Sequence, residues 1–270
     1  MRLSRAAPSN RMFRVTAIVL VCILPWSVAA QAPVPTDTPG IDTTAPAAET
    51  AEADTSFKSL FTKVPPALLR LGRSDSLRAL AIAGGVSAML AAKDAEMTQY
   101  AAESVRFEHN LLAGHFMGDI YFQGSVALGT YIVGRASGNR RVTLLGTHLV
   151  RSHLLSGFVT DVTKLVVQRE RPNGANYSFP SGHTTQAFTT ATVLQRHFGW
   201  KAGVPAYALG AYVAVSRMAD NRHYPSDLLI GAAIGFVSAQ SVMVGFGRSQ
   251  FVVTPLAVRG GGGVALTLLD

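Results

Sequence analysis

At 270 residues, 48% hydrophobic and 15% charged, the chain is apolar for a soluble protein, yet it lacks the unbroken runs of about 20 apolar residues that mark an obvious multi-span membrane protein. Its net charge of +8 suits an anionic substrate or an anionic membrane surface. No basic helix and no basic stripe interleaved with aromatics is present, which argues against nucleic acid. The single cysteine, Cys22, leaves neither a disulfide nor a thiolate metal site.

Residues 1–30 read as an export signal. Arg2, Arg5, Arg11 and Arg14 precede the apolar run Val15 to Trp26, and Val28-Ala29-Ala30 supplies small residues before a cleavage point after Ala30. An uncleaved N-terminal anchor is the alternative. Residues 31–56 are rich in Pro, Thr, Ala and acids and read as a disordered linker. The charge is unevenly spread: residues 57–270 carry +9, the linker −5.

From Phe57 the chain reads as an all-α bundle of about six helices within a domain at 57–250. The expected helices are Ser76 to Ala92, Ile120 to Gly134, Val142 to Gln168, Thr184 to Phe198, Ala206 to Arg217 and Ser226 to Phe246. Turn chemistry separates them at Gly138-Asn139, Pro172-Asn173-Gly174, Gly199 to Pro205, and Asn221 to Pro225. The tail, 251–270, holds two β-favouring runs around Gly260 to Gly263, which fit a small C-terminal β-hairpin or a frayed end equally well.

Three short stretches carry chemistry. Lys164 and Arg171 are seven residues apart, two helical turns, and Pro172 biases Arg171 out of helical geometry into a loop. Two cations in one space suit a phosphate dianion, the arginine as a planar fork and the lysine as a point charge. The ordinary alternative is a solvated basic helix end. Next, Pro180-Ser181-Gly182-His183 opens a helix. Gly182 lets backbone amides approach a ligand, and His183 sits at the mouth of that anion site with Ser181 as an added donor. An ordinary capped helix start would look the same. Finally, Ser216-Arg217 is followed by His223 and Asp227. The last two are i,i+4 around a first-turn Pro225, so the carboxylate can fix the imidazole tautomer and leave one nitrogen free as a nucleophile. A structural Asp–His pair is the bland reading. Together the stretches gather three cations, a helix N-terminus and two histidines within 64 residues. A zinc site on His183 and His223 fits worse, because three nearby cations oppose a dication. No Walker phosphate loop and no Gly-x-Ser-x-Gly elbow occurs.

The combination resembles the type 2 phosphatidic acid phosphatase superfamily, which includes class A acid phosphatases and vanadium haloperoxidases. The tripartite signature Lys-x6-Arg-Pro, Pro-Ser-Gly-His, Ser-Arg-x5-His-x3-Asp is filled at all eleven positions, and the resemblance spans about residues 76–246. It implies a metal-free, cofactor-free, two-step phosphatase. His223 attacks phosphorus, Asp227 orients it, and His183 protonates the leaving oxygen and then activates water. Lys164, Arg171, Ser181, Gly182 and Arg217 hold the equatorial oxygens. His109, His115, His148, His153 and His197 match no signature position and read as packing or surface residues.

Two other functions are weighed. A vanadium haloperoxidase shares the anion pocket, but the chain is short for that group. A non-catalytic envelope scaffold sits poorly with a complete set of catalytic positions. The apolar helices favour a phosphorylated lipid as substrate and a membrane as partner. The expected location is the inner membrane with a periplasm-facing site, Leu228 to Phe246 being the best span and Ile120 to Gly134 a short second one. A soluble periplasmic bundle is the rival.

Overall fold

Local chemistry sets the helix boundaries. Asp119 caps one helix by accepting from the backbone N–H groups of Tyr121 and Phe122, and Asn139 caps the next by accepting from Arg141 and Val142. Gln168, in the left-handed region with φ of 49°, ends that second helix and turns the chain into a loop. Gly199, at φ of 76°, lets one helix stop and another start with no linker, a conformation that a Cβ would strain.

The computed structural model describes residues 54–103, 112–244, 250–258 and 261–269. The export signal and most of the linker expected from the sequence lie outside them, as do His109 and Phe246. The helices are α1 (Ser59–Thr62), α2 (Val64–Arg70), α3 (Ser74–Ala91), α4 (Asp94–Glu103), α5 (Leu112–Met117), α6 (Ile120–Ala136), α7 (Arg140–Val167), α8 (Gly182–Phe198), α9 (Trp200–Ala219) and α10 (Pro225–Val242). Six of these, α3 and α6 to α10, are long. Strands β1 (Gln250–Val258) and β2 (Gly261–Leu269) pair antiparallel, with Gln250 opposite Leu269. The end of the linker is docked: Arg151 and Ser59 donate to the Asp54 carbonyl and Tyr131 donates to that of Thr55.

The start of α9 departs from expectation. Gly199 to Pro205 reads as a break, but α9 begins at Trp200 and runs through Pro205. The proline falls in the second turn, where it removes only the N–H that would bond the Lys201 carbonyl. The short helices α1, α2, α4 and α5 were not expected either.

α8 is packed against α7, α9 and α10, and α6 pairs with α7. The helices approach closely where glycine permits it. A Cβ on Gly231 of α10 would lie 2.6 Å from the Ser181 carbonyl oxygen, and one on Gly235 would collide with the Thr185 carbonyl. Small residues spaced four apart thus bring the α10 backbone against the start of α8.

The interior carries many hydroxyl groups beside an apolar cluster of Ala127, Leu149, Val193, Ala239 and Met243, and many large apolar side chains are exposed. Thr184, Thr185, Thr189 and Thr192 of α8 are fully buried, with Ser152, Ser156 and Ser238. Thr185, Thr189 and Thr192 satisfy their hydroxyls on carbonyls one turn back. Leu69 and Tyr121 are 81% exposed, Met89 and Val166 78%, and Val133, Leu165, Trp200 and Val204 also face outward.

Among the described residues no single helix is long and apolar enough to cross a membrane, although α3 and α4, bent by 73° at their junction, pass as a pair by length and composition. The expectation of a span at Leu228 to Phe246 therefore needs correction. α10 ends at Val242, and its 18 residues include Asp227, Gln240 and three serines. Its buried residues mix Ser226, Asp227, Ser238 and Ser241 with Leu228, Ile234, Val237 and Ala239.

Candidate active site

The three signature stretches converge at one end of the bundle. α7 delivers Lys164 in its last turn, and the loop after Gln168 carries Arg171 and Pro172. Ser181 is the N-cap of α8, with Gly182 and His183 as its first residues. Arg217 sits in the last turn of α9, His223 in the following loop and Asp227 in the first turn of α10. The Ser181 backbone N–H donates to the Asp227 carbonyl at 3.1 Å, which ties the α8 start to α10. Gly182 lies beside the Lys164 side chain.

His223 is buried, and its Nδ1 lies 2.6 Å from the Ser178 carbonyl oxygen. A carbonyl only accepts, so Nδ1 carries the proton and Nε2 keeps its lone pair. This refines the expected Asp–His contact. Asp227 Oδ2 is 3.8 Å from Nδ1, beyond hydrogen-bond reach, and accepts instead from the Ser178 hydroxyl at 2.5 Å and the Tyr224 N–H at 2.9 Å. Ser178 is the bridge: its hydroxyl is held by Asp227 while its carbonyl holds the imidazole. Burial, then the charges of Lys164 and Arg171, push the His223 pKa down against the opposing pull of Asp227.

His183 stacks on His115, ring centroids 5.2 Å apart at 18°. Its buried Nε2 has no partner among the described residues, and neither has the buried Nε of Arg171. A buried donor or acceptor left unsatisfied costs about 1–3 kcal/mol, so both atoms point to a ligand. Burial, then Arg217, His115 and His223, lower the His183 pKa to about 4.

Arg217 is 3% exposed. Its Nη1 donates to His115 Nδ1 at 2.8 Å and its Nη2 to Asp220. Each terminal nitrogen keeps a second hydrogen for an anion. Lys164 Nζ donates to the Tyr177 carbonyl at 2.8 Å, and the Arg171 N–H to the Ala175 carbonyl. Ser181 Oγ accepts from Thr184 Oγ1 at 3.0 Å and Thr184 N at 3.4 Å, leaving its own hydrogen available.

The sequence reading missed several residues here. His115 is no bystander, since it contacts both Arg217 and His183; α5 brings it there, and no local spacing announces it. His153 and the His148–His197 pair lie elsewhere in the bundle, His153 bonded to Gln186 and Thr190. Ser178 acts through its carbonyl as well as its hydroxyl. Arg169, two residues before Arg171, pairs with Asp94 and Asp227 and lies over the Tyr224 ring at 4.2 Å. Among the described residues no three His, Cys, Asp or Glu side chains gather in a way that would hold a metal ion.

A lipid A 1-phosphatase from Porphyromonas gingivalis is 38% identical over 87 residues, which is 31% of this chain and 20% of that relative, so the match spans only a fifth of its length. Two solved structures are similar. One is described as the first transmembrane PAP2 type phosphatidylglycerolphosphate phosphatase from Bacillus subtilis (18% identity, 68% of this chain and 92% of that one, TM-score 0.48). The other is LpxE from Aquifex aeolicus (20% identity, 56% and 94%, TM-score 0.48). The family model described as PAP2 superfamily matches residues 145–251, from near the start of α7 through all three signature stretches to the start of β1. By that match, residues 145–251 are similar to the PAP2 superfamily.

Proposed function

We propose that the chain is a metal-independent phosphatase that hydrolyses a lipid phosphate through a phosphohistidine on His223. The observation that carries this reading is the buried His223 with its proton fixed on Nδ1, near Arg171 Nε and His183 Nε2, which have no partner among the described residues. His223 Nε2 forms a bond to phosphorus as the bond from phosphorus to the leaving oxygen breaks. His183 gives that oxygen a proton. Water then attacks the phosphohistidine, His183 takes its proton, and the P–N bond breaks to release inorganic phosphate. Lys164, Arg171, Arg217, the Ser181 hydroxyl and the Gly182 amide hold the equatorial oxygens, where positioning and charge stabilisation do most of the catalysis.

A lipid substrate is supported by the bundle's surface. Its interior is hydroxyl-rich and its exterior carries Leu69, Met89, Tyr121 and Val166, an arrangement suited to a lipid surround rather than water. The Porphyromonas gingivalis relative is a lipid phosphatase by name. On this reading the chain is membrane-bound through that exterior. Its site faces the compartment to which the basic N-terminal segment directs export.

The test is phosphate release by the purified full chain from a panel of lipid and soluble phosphates in EDTA. Release from lipid phosphates in the presence of chelator, blocked by vanadate, is expected. Activity that vanishes with EDTA and returns with Mg²⁺ or Zn²⁺ refutes the metal-independent mechanism. In cell fractions the chain is expected to stay with membranes in alkaline carbonate; release without detergent refutes the membrane assignment and leaves the chemistry standing.

A further inference from the structure

We propose that Asp94, far upstream of the signature, is a positioning residue for the nucleophile, acting through Arg169 on Asp227; the assignment rests on the reading of His223 as nucleophile. Asp94 opens α4, outside the 145–251 match, and is 3% exposed. A buried carboxylate is expensive to desolvate and persists only with partners. Asp94 has three. Its Oδ1 accepts from the Ser226 N–H at 3.0 Å, and its Oδ2 accepts from Arg169 Nη2 at 2.8 Å and from the Ser226 hydroxyl.

Arg169 passes this anchoring on. Its Nη1 donates to Asp227 Oδ1 at 2.7 Å and to Ser226 Oγ at 2.8 Å, so one guanidinium clamps two carboxylates. The Arg169 carbonyl also accepts from the Ser178 N–H at 2.7 Å. Both groups that hold His223, the Ser178 carbonyl and the Asp227 carboxylate behind it, are therefore pinned by Arg169. The planar fork suits this bridging and a lysine does not.

Charge makes Asp94 more than a brace. With two carboxylates around one guanidinium, the cluster of Asp94, Arg169 and Asp227 keeps a net negative charge. That charge faces an imidazole that turns positive as it takes up phosphorus. Without Asp94, Arg169 neutralises Asp227 one to one and the ring loses that support. Lys164, Arg171 and Arg217 do not touch Asp94, so phosphate binding is spared.

The experiment compares wild type with D94N, which is nearly isosteric, and R169K. Each is checked for cooperative melting in detergent. Both variants are expected to lower kcat by about 10- to 100-fold, as loss of an outer partner of an active-site histidine does. KM and inhibition by inorganic phosphate should stay unchanged. A raised KM with unchanged kcat, or wild-type kcat in both variants, overturns the proposal. If D94N does not fold, R169K decides by the same split. A second arm needs no activity: ¹⁵N-histidine NMR of the full chain, with the His223 signal assigned by difference from an H223Q sample. Wild type should hold one tautomer protonated at Nδ1, and D94N should mix the two. An unmixed tautomer in D94N overturns the proposal. A wild-type enzyme that releases no phosphate from any substrate counts against the phosphatase reading, and the NMR arm then still decides the positioning role.

Discussion

His223→Ala is expected to abolish turnover and to prevent any ³²P label from remaining on the enzyme. Two local facts support the proposal that this ring is the nucleophile. Its Nδ1–H is committed to the Ser178 carbonyl at 2.6 Å, so the lone pair sits on Nε2. Burial lowers its pKa below the ordinary 6.5, so the ring stays neutral, and nucleophilic, as pH falls through that value. The acid limb of kcat/KM assigned to this group should therefore lie below pH 6.5, because a lower pKa delays protonation to lower pH. Removing a covalent nucleophile from a hydrolase costs on the order of a million-fold in kcat. The substitution leaves Lys164, Arg171 and Arg217 in place, so inorganic phosphate should still bind. Rapid quench with ³²P-labelled substrate is the measurement. Acid-labile, base-stable label retained by the His223→Ala protein would assign the nucleophile elsewhere.

Why so much of the site was readable from sequence is a matter of spacing. Each half-site lies on one helix end: Lys164 and Arg171 across the α7 terminus, Ser181 to His183 at the α8 start, His223 and Asp227 across the α10 start. Local rules of capping, turns and i,i+4 geometry act over those distances. The long helices were readable for a similar reason, since apolar, alanine-rich runs stop at Gly138-Asn139, Pro172 to Gly174 and Asn221 to Pro225. Asp94 and His115 were not readable. Asp94 meets Ser226 across 132 residues and His115 meets Arg217 across 102, and only tertiary packing makes those pairs. The span at Leu228 to Phe246 does not stand as drawn because α10 ends at Val242 and is packed in the bundle against α3, α7 and α8, with Leu228, Ile234 and Val237 buried, while Phe246 lies outside the described residues. The α9 start was hidden because Gly199 and Pro205 both carry turn chemistry, while the proline is tolerated early in a helix.

His183→Ala is expected to produce a loss that depends on the leaving group. The ring lies beside the anion site, with Nε2 buried and without a partner among the described residues, and its face against His115. Its pKa of about 4 means that it is neutral in the free enzyme at neutral pH, because burial and the charge of Arg217 both disfavour the imidazolium. A general acid must hold a proton, so the substrate has to change this. A phosphate dianion seated among Lys164, Arg171 and Arg217 offsets their positive charge and favours protonation of His183. The proton thus becomes stable on the ring only when there is an oxygen to receive it. Without the ring, an alkoxide must leave unprotonated. For an alcohol leaving group the expected loss is on the order of 100- to 10,000-fold in the first step. A nitrophenolate leaves readily as an anion, so a nitrophenyl phosphate should still phosphorylate His223. Hydrolysis of the phosphohistidine also needs His183, as base toward water, so labelled enzyme should accumulate with the activated substrate. Single-turnover measurements on both substrates separate the steps. An equal loss on the two leaving groups, with no accumulation of label, would mean that His183 only binds phosphate and that the leaving oxygen takes its proton from another source.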